Sequence, residues 1–250
     1  MTGKKVVVAG ATGLVGNAAL RHFGTSCEVV ALSRRKPRDL YGGRHVPVDL
    51  TSEADCRRAA AELKGTTHLI YAALYEAPQL VDGWRDEQQI RTNDLMLRNL
   101  MGALEPVAPD LKHVALLQGT KAYGVHVRPL TVPAREGRSE MYEQPNFYWA
   151  QENFLRELQT GKAWHSSILR PVLIVGLAMR GAMDLIPPLG VYAAMLHEQG
   201  RPLDFPGGAA HGEADDQDGT QDAPVPGLAG LELAQEIFLG PVEIGLLVHF

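Results

Sequence analysis

The sequence predicts an α/β fold, a doubly wound parallel sheet followed by a small, incomplete C-terminal lobe. Three observations predict it. Strand-like apolar runs alternate with helical patterns as far as Gly176, the connections between them are short, and a glycine-rich turn separates the first strand from the first helix. The elements follow in order. Residues 4–9 hold a β-branched run bounded by Gly10, as a strand buried on both faces does. Residues 14–23 carry apolar groups at helical spacing, and CEVVALS (27–33) and RHVPVDL (44–50) read as the second and third strands. SEADCRRAAAEL is a helix with Ser52 as its N-cap. THLIYAAL (67–74) is a fourth strand, DEQQIRTNDLMLRNLMGAL (86–104) a long amphipathic helix, and KHVALLQ (112–118) a fifth strand. Residues 146–159 read as helix, capped and shaped at entry by Asn146 and Phe147, and SSILRPVLIVG (166–176) as a sixth strand, within which Arg170–Pro171 reads as a strand end that turns the chain toward the substrate lobe, with Pro171 fixing the bend.

The last third differs. IPPLGVYAAMLHEQGRPLDFPGG keeps helix-and-turn character, whereas Ala209–Gly230 shifts to Gly, Ala, Asp, Gln and Pro with no hydrophobic period, the composition of a disordered connection. The expected organisation is a nucleotide-binding domain over 1–175, a substrate-lobe segment over 176–208 and a divergent tail over 209–250.

Bulk properties narrow the classes. The chain has 250 residues, 45% of them hydrophobic, and a formal net charge of -5, which favours neither nucleic acid nor an anionic membrane as partner. Two cysteines build no disulfide framework, the nine histidines are not at metal-ligand spacing, and no apolar stretch is long enough to span a bilayer. The opening MTGKK runs straight into a strand, unlike a signal peptide. The expectation is a cytoplasmic protein without a metal; a homodimer is left open.

Gly10, Gly13 and Gly16 in GATGLVG have the spacing of a dinucleotide-binding turn, in which the chain turns tightly, approaches a pyrophosphate and packs helix on sheet. Thr12, Leu14 and Val15 share that turn, and the helix start offers free N–H groups to phosphates. This is the turn of a Rossmann-type fold. Ser33, Arg34 and Arg35, followed by Lys36, end the second strand without a competing acid, so the reading favours the 2′-phosphate of NADPH over the free ribose of NAD. Asp49, before Leu50, is either an acceptor for the adenine amino group or a turn residue. Ala72 and Ala73 either leave room for the cofactor or belong to the core. Gln118, Lys121, Tyr148 and Pro171 complete the candidate cofactor contacts.

LLQGTKAYG delivers Lys121 to a loop, and QPNFYWAQE sets Tyr148 at a helix start. Most short-chain dehydrogenases keep a lysine four residues after the catalytic tyrosine, on the same helical face. Here that residue is Glu152, whose charge would raise rather than lower a nearby phenol's pKa. Either Tyr148 is idle or its cation comes from elsewhere, with Lys121 the candidate. Asn93 is read as a brace acting through a water or as a surface residue, outside the catalytic set. Tyr75, Trp84 and Met141 are read as lid or packing residues.

Taken together, GATGLVG, ALSRRKP, LLQGTKAYG, NFYW and LRPVLIVG resemble the progesterone 5β-reductase and iridoid synthase-like group of atypical extended short-chain dehydrogenases. The resemblance runs from the first strand to about Gly208. It implies NADPH-dependent reduction of a carbon–carbon double bond conjugated to a carbonyl, on a small-molecule enone. It also implies that Tyr148 supplies a phenol and Lys121 an ammonium to the developing enolate. Beyond FPGG the sequence departs from the family pattern, which puts the wall over the substrate in question. Three rival readings stay open: a nucleotide-sugar epimerase or dehydratase, a ketone reductase, and a non-catalytic NADPH-binding sensor.

Overall fold

The structure, a computed structural model, describes residues 3–77, 86–131, 133–136, 138–139, 144–172, 174, 176 and 186–204. They fall into two units, residues 3–176 and residues 186–204. In the first, six strands form one parallel sheet: β1 (Lys5–Ala9), β2 (Glu28–Ser33), β3 (Arg44–Pro47), β4 (His68–Tyr71), β5 (His113–Leu117) and β6 (His165–Leu169), in the order β3-β2-β1-β4-β5-β6. The chain therefore winds outward from β1 to β3 and returns to β4 on the other side of β1. This reversal opens a crevice at the carboxyl ends of β1 and β4, where folds of this topology take ligands.

The apolar run of β1 splits by alternation. Val7 and Ala9 join the larger core with Leu69, Leu97, Leu100 and Leu116, while Val6 and Val8 join Leu20, Val29 and Ala31 on the opposite face. Helix α1 (Leu14–Phe23) covers that second face through Ala19 and Leu20. Helices α2 (Glu53–Leu63), α3 (Glu87–Leu104) and α4 (Phe147–Gln159) bring Cys56, Leu97 and Leu155 to the larger core. The predicted caps form: Ser52 accepts from the Asp55 N–H, and Asn146 from that of Tyr148. The second unit consists of α5 (Ile186–Glu198) and the residues that follow it to Asp204. Pro187 and Pro188 fall in its first turn, where N–H groups have no helical partner. Among the described residues no helix is long and apolar enough to cross a membrane.

Three strands, β3, β4 and β6, end three or more residues before the sequence reading. β3 ends at Pro47, after which only the Val48 N–H still reaches the Ser33 carbonyl (3.2 Å). β4 ends at Tyr71 because Ala72 and Ala73 turn against Gly10. β6 ends at Leu169 rather than Gly176, at the strand end that Arg170–Pro171 predicts, since Pro171 has no N–H for the ladder. The tail over 209–250, Trp84 and Met141 lie outside the described residues.

The register aligns His68, His113 and His165 across β4, β5 and β6. Burial lowers the affinity of His68 and His113 for protons, and so do their neighbours: Lys4, His113 and Lys112 for His68, and His165 for His113. Both folded pKa values lie below the unfolded value, so the unfolded chain binds more protons below about pH 6.5. Their contribution to stability is present above that pH and is lost as pH falls through the folded values. Urea midpoints should drop between pH 7.5 and 5.5, and by less in His113→Gln. Equal pH slopes for the two proteins would contradict this.

Candidate active site

The turn after β1 is built by close approach. Gly10 has φ +80, and a Cβ there would lie 2.5 Å from the Ala72 carbonyl oxygen and 2.6 Å from the Ala73 nitrogen. A Cβ on Gly16 would lie 2.2 Å from the Gly10 carbonyl oxygen, so α1 packs onto the turn only with glycine there. Gly13 is different. Its backbone is extended, and a Cβ would meet only the Gly10 oxygen at 3.4 Å, an ordinary contact. Packing does not require glycine at 13; a ligand lying against the turn would. Gly13 also caps α1 without a side-chain hydrogen bond, and no acidic residue occupies the first turn that includes Leu14 and Val15. That helix start fits a pyrophosphate. Thr12 lies half-buried beside Gly13, and the Leu14 side chain lies within 2.9 Å of where a Cβ on Gly176 would sit.

At the end of β2, the buried Ser33 hydroxyl donates to the Arg35 carbonyl (2.7 Å), which fixes the path of the basic loop. Arg34 and Arg35 are exposed. Asp49 Oδ1 accepts from both the N–H and the hydroxyl of Thr51 (3.0 and 2.7 Å), and these bonds, helped by the charge of Arg34, lower its pKa. That is the bonding of a turn residue, the second of its two sequence readings. Leu50 belongs to the core, and its carbonyl accepts from Asn99 (2.9 Å).

Lys121 lies not in an open loop but in a 3-10 turn, Thr120–Tyr123, directly after β5. Tyr148 lies in the first turn of α4. Asn146 ties the two together: its Oδ1 accepts from the Tyr148 N–H (2.9 Å) and its Nδ2 donates to the Lys121 carbonyl (3.0 Å). Trp149 Nε1 adds a second tie by donating to the Ala122 carbonyl (2.9 Å). Gln118 donates Nε2 to the Tyr148 carbonyl (2.9 Å), while its buried Oε1 has no partner among the described residues. Such an acceptor fits the amide N–H of a bound ligand. A Cβ on Gly119 would lie 3.6 Å from the Tyr148 hydroxyl and 3.7 Å from the Pro171 carbonyl, so Gly119, Tyr148 and Pro171 converge at the end of β5.

Burial, and then the charge of Glu76, holds the Tyr148 phenol well above its ordinary pKa, so it is a proton donor at neutral pH. Burial lowers the pKa of Lys121, and Glu76 partly offsets this. Glu152 is not among the causes of the Tyr148 shift, contrary to the sequence expectation. Its carboxylate is 1% exposed and paired with Arg170 and Arg156. Glu76, which the sequence reading missed, is exposed after β4. Its segment is clamped to α3: Asn93 accepts from the Tyr75 N–H (2.9 Å) and donates to its carbonyl (2.8 Å), and Gln89 accepts from the Ala77 N–H (2.7 Å). Asn93 is thus not a surface residue. It is a fully buried backbone clamp, and Tyr75 packs against the core. A buried amide on a helix facing a strand-end loop was the one signal available for it.

Comparisons with known proteins agree with this architecture. The model of the PRISE-like Rossmann-fold domain matches residues 48–223. The chain is 30% identical over 220 residues to the 3-oxo-Delta(4,5)-steroid 5-beta-reductase of Arabidopsis thaliana, a match covering 80% of this chain and 54% of that protein. It is also 30% identical over 221 residues to an (S)-8-oxocitronellyl enol synthase of Camptotheca acuminata, covering 80% and 54%. The chain spans about half the length of the curated relatives it matches. A short-chain dehydrogenase/reductase superfamily protein from Agrobacterium tumefaciens, solved with NAD, has the same fold. Its TM-score is 0.58 at 18% identity, over 78% of this chain and 59% of that one.

Proposed function

The chain belongs to the family of PRISE-like Rossmann-fold domains, and from that premise we propose that it is an NADPH-dependent reductase of α,β-unsaturated carbonyl compounds. The observation that carries the reading is the Asn146 bridge, which holds the Tyr148 turn and the Lys121 turn together at the strand ends. A 5-beta-reductase and an enol synthase among the relatives support the reaction class.

Bound NADPH would supply hydride to the β-carbon of the enone. Gly10, Gly13 and Gly16, with the N–H groups of Leu14 and Val15, would hold its pyrophosphate against the start of α1. Ala72 and Ala73 flank that turn, Gln118 would accept from the carboxamide, and Pro171 would bound the nicotinamide end. As negative charge grows on the carbonyl oxygen, Tyr148 donates a hydrogen bond to it and Lys121 adds a positive charge. In a site that excludes water both count for more than in bulk solvent. Proton transfer from the phenol then gives the neutral enol, which becomes the saturated ketone. Residues 176–208 are assigned to the substrate lobe.

Arg34 and Arg35 are assigned to the 2′-phosphate. Arg34→Ala with Arg35→Ala should weaken NADPH binding by about tenfold or more and leave NADH binding within about twofold. Equal losses for both cofactors would remove that assignment. The reaction itself is tested with purified protein, NADPH and 2-cyclohexen-1-one. Cyclohexanone is the expected product, and 2-cyclohexen-1-ol would point to carbonyl reduction instead.

A further inference from the structure

We propose that Glu152 and Arg170 are positioning residues, a buried ion pair that holds the Tyr148 turn, the Lys121 turn and the end of β6 in one arrangement. The proposal rests on the reading of Tyr148 and Lys121 given above. Glu152 stands one helical turn after Tyr148 on α4, with its side chain 1% exposed. A carboxylate so buried needs a cation, and Arg170, 9% exposed, supplies it from the residue immediately after β6. Arg156 adds a second contact at 3.2 Å from the solvent side.

Arg170 reaches further than its carboxylate. Its guanidinium carbon lies 4.9 Å from the centroid of the Tyr123 ring and 5.4 Å from that of the Trp149 ring. Its Nε and Nη1 make no hydrogen bond to a described residue, and the two rings lie within cation–π reach of the guanidinium. Tyr123 closes the 3-10 turn that carries Lys121. Trp149 follows Tyr148 and is bonded to Ala122 in the same turn. Pro171, the next residue, brings its carbonyl to Gly119 beside the Tyr148 hydroxyl. One planar cation therefore touches all three elements on which the candidate catalytic pair depends.

A buried ion pair adds little net stability compared with well-packed apolar side chains. What it does add is direction. One guanidinium edge on the carboxylate, with the Tyr123 and Trp149 rings 4.9 and 5.4 Å from the guanidinium carbon, engages three neighbours at once, which a compact lysine ammonium or an apolar pair does not. Small displacements of catalytic groups are costly in rate while leaving binding nearly intact.

The test uses the full chain and three variants: Glu152→Gln, Arg170→Lys, and the double variant Glu152→Leu with Arg170→Met. Steady-state kinetics on NADPH and 2-cyclohexen-1-one are combined with NADPH binding by fluorescence. The 13Cζ tyrosine resonance of Tyr148, assigned with Tyr148→Phe, is followed in the NADPH-bound protein. We expect kcat to fall by about 10- to 100-fold in both single variants, NADPH affinity to stay within about twofold, and the Tyr148 resonance to move. The double variant should fold and be equally slow. If a single variant fails to fold, the double variant decides. A folded variant with wild-type kcat and an unmoved Tyr148 resonance would overturn the proposal. A wild-type protein that does not reduce the enone would sink the reductase reading instead, and the Tyr148 resonance would still decide whether Glu152 and Arg170 position it.

Discussion

Replacing Tyr148 with Phe should lower kcat for enone reduction by about 100- to 1,000-fold, the loss seen when one preorganised donor to a developing oxyanion is removed. NADPH affinity should stay nearly unchanged. Fold should be preserved, because the ring packs with Phe147 (centroids 4.5 Å apart) and Ala122, and the substitution removes only the hydroxyl. The pH profile distinguishes the partner's role. Burial lowers the pKa of Lys121 from its ordinary 10.5, so the ammonium is lost as pH rises through that lowered value. Turnover should decline at a pH below the usual lysine range, and Lys121→Arg should move the decline upward or abolish it. An unaltered rate in Tyr148→Phe would leave the phenol without a catalytic role.

Two glycines of the nucleotide turn should separate folding from binding. In Gly16→Ala the new Cβ meets the Gly10 carbonyl oxygen, backbone that cannot move aside cheaply, so stability should fall by about 1–3 kcal/mol. Gly13→Ser should do the opposite. Serine is a favoured N-cap and the backbone there is extended, so stability should be kept or raised slightly. The added side chain projects from the turn that would receive the pyrophosphate, and NADPH binding should weaken by at least about tenfold. Thermal melts and fluorescence titrations of the two variants check both halves. Normal NADPH affinity in Gly13→Ser would mean that the cofactor does not lie against this turn.

Local features were legible where residue type and period decide them. The β1 run and Gly10 could be read because a strand buried on both faces needs apolar residues throughout. The α1 boundaries came out at Leu14 and Phe23 as predicted, and Ser52 and Asn146 cap their helices with hydroxyl and amide oxygens. Features that join distant residues were not legible. Asn93 holds Tyr75, eighteen positions earlier, and Arg170 meets Glu152 across the same separation. From the sequence alone Glu152 stands as a charge beside Tyr148, because nothing there shows its pairing with Arg170. The Thr120–Tyr123 turn has no period to detect, and VLIV beyond Pro171 is as apolar as a strand, so Arg170–Pro171 alone marks where β6 ends.

The central claim is that this site sends hydride to carbon, at the far end of a conjugated double bond, while Tyr148 and Lys121 hold the oxygen. The most direct measurement uses NADPH deuterated at the transferring position with 2-cyclohexen-1-one, and locates the label by NMR. Deuterium at C3 of cyclohexanone, with the yield collapsing in Tyr148→Phe, is the predicted result. Deuterium on the carbinol carbon of 2-cyclohexen-1-ol would contradict the account.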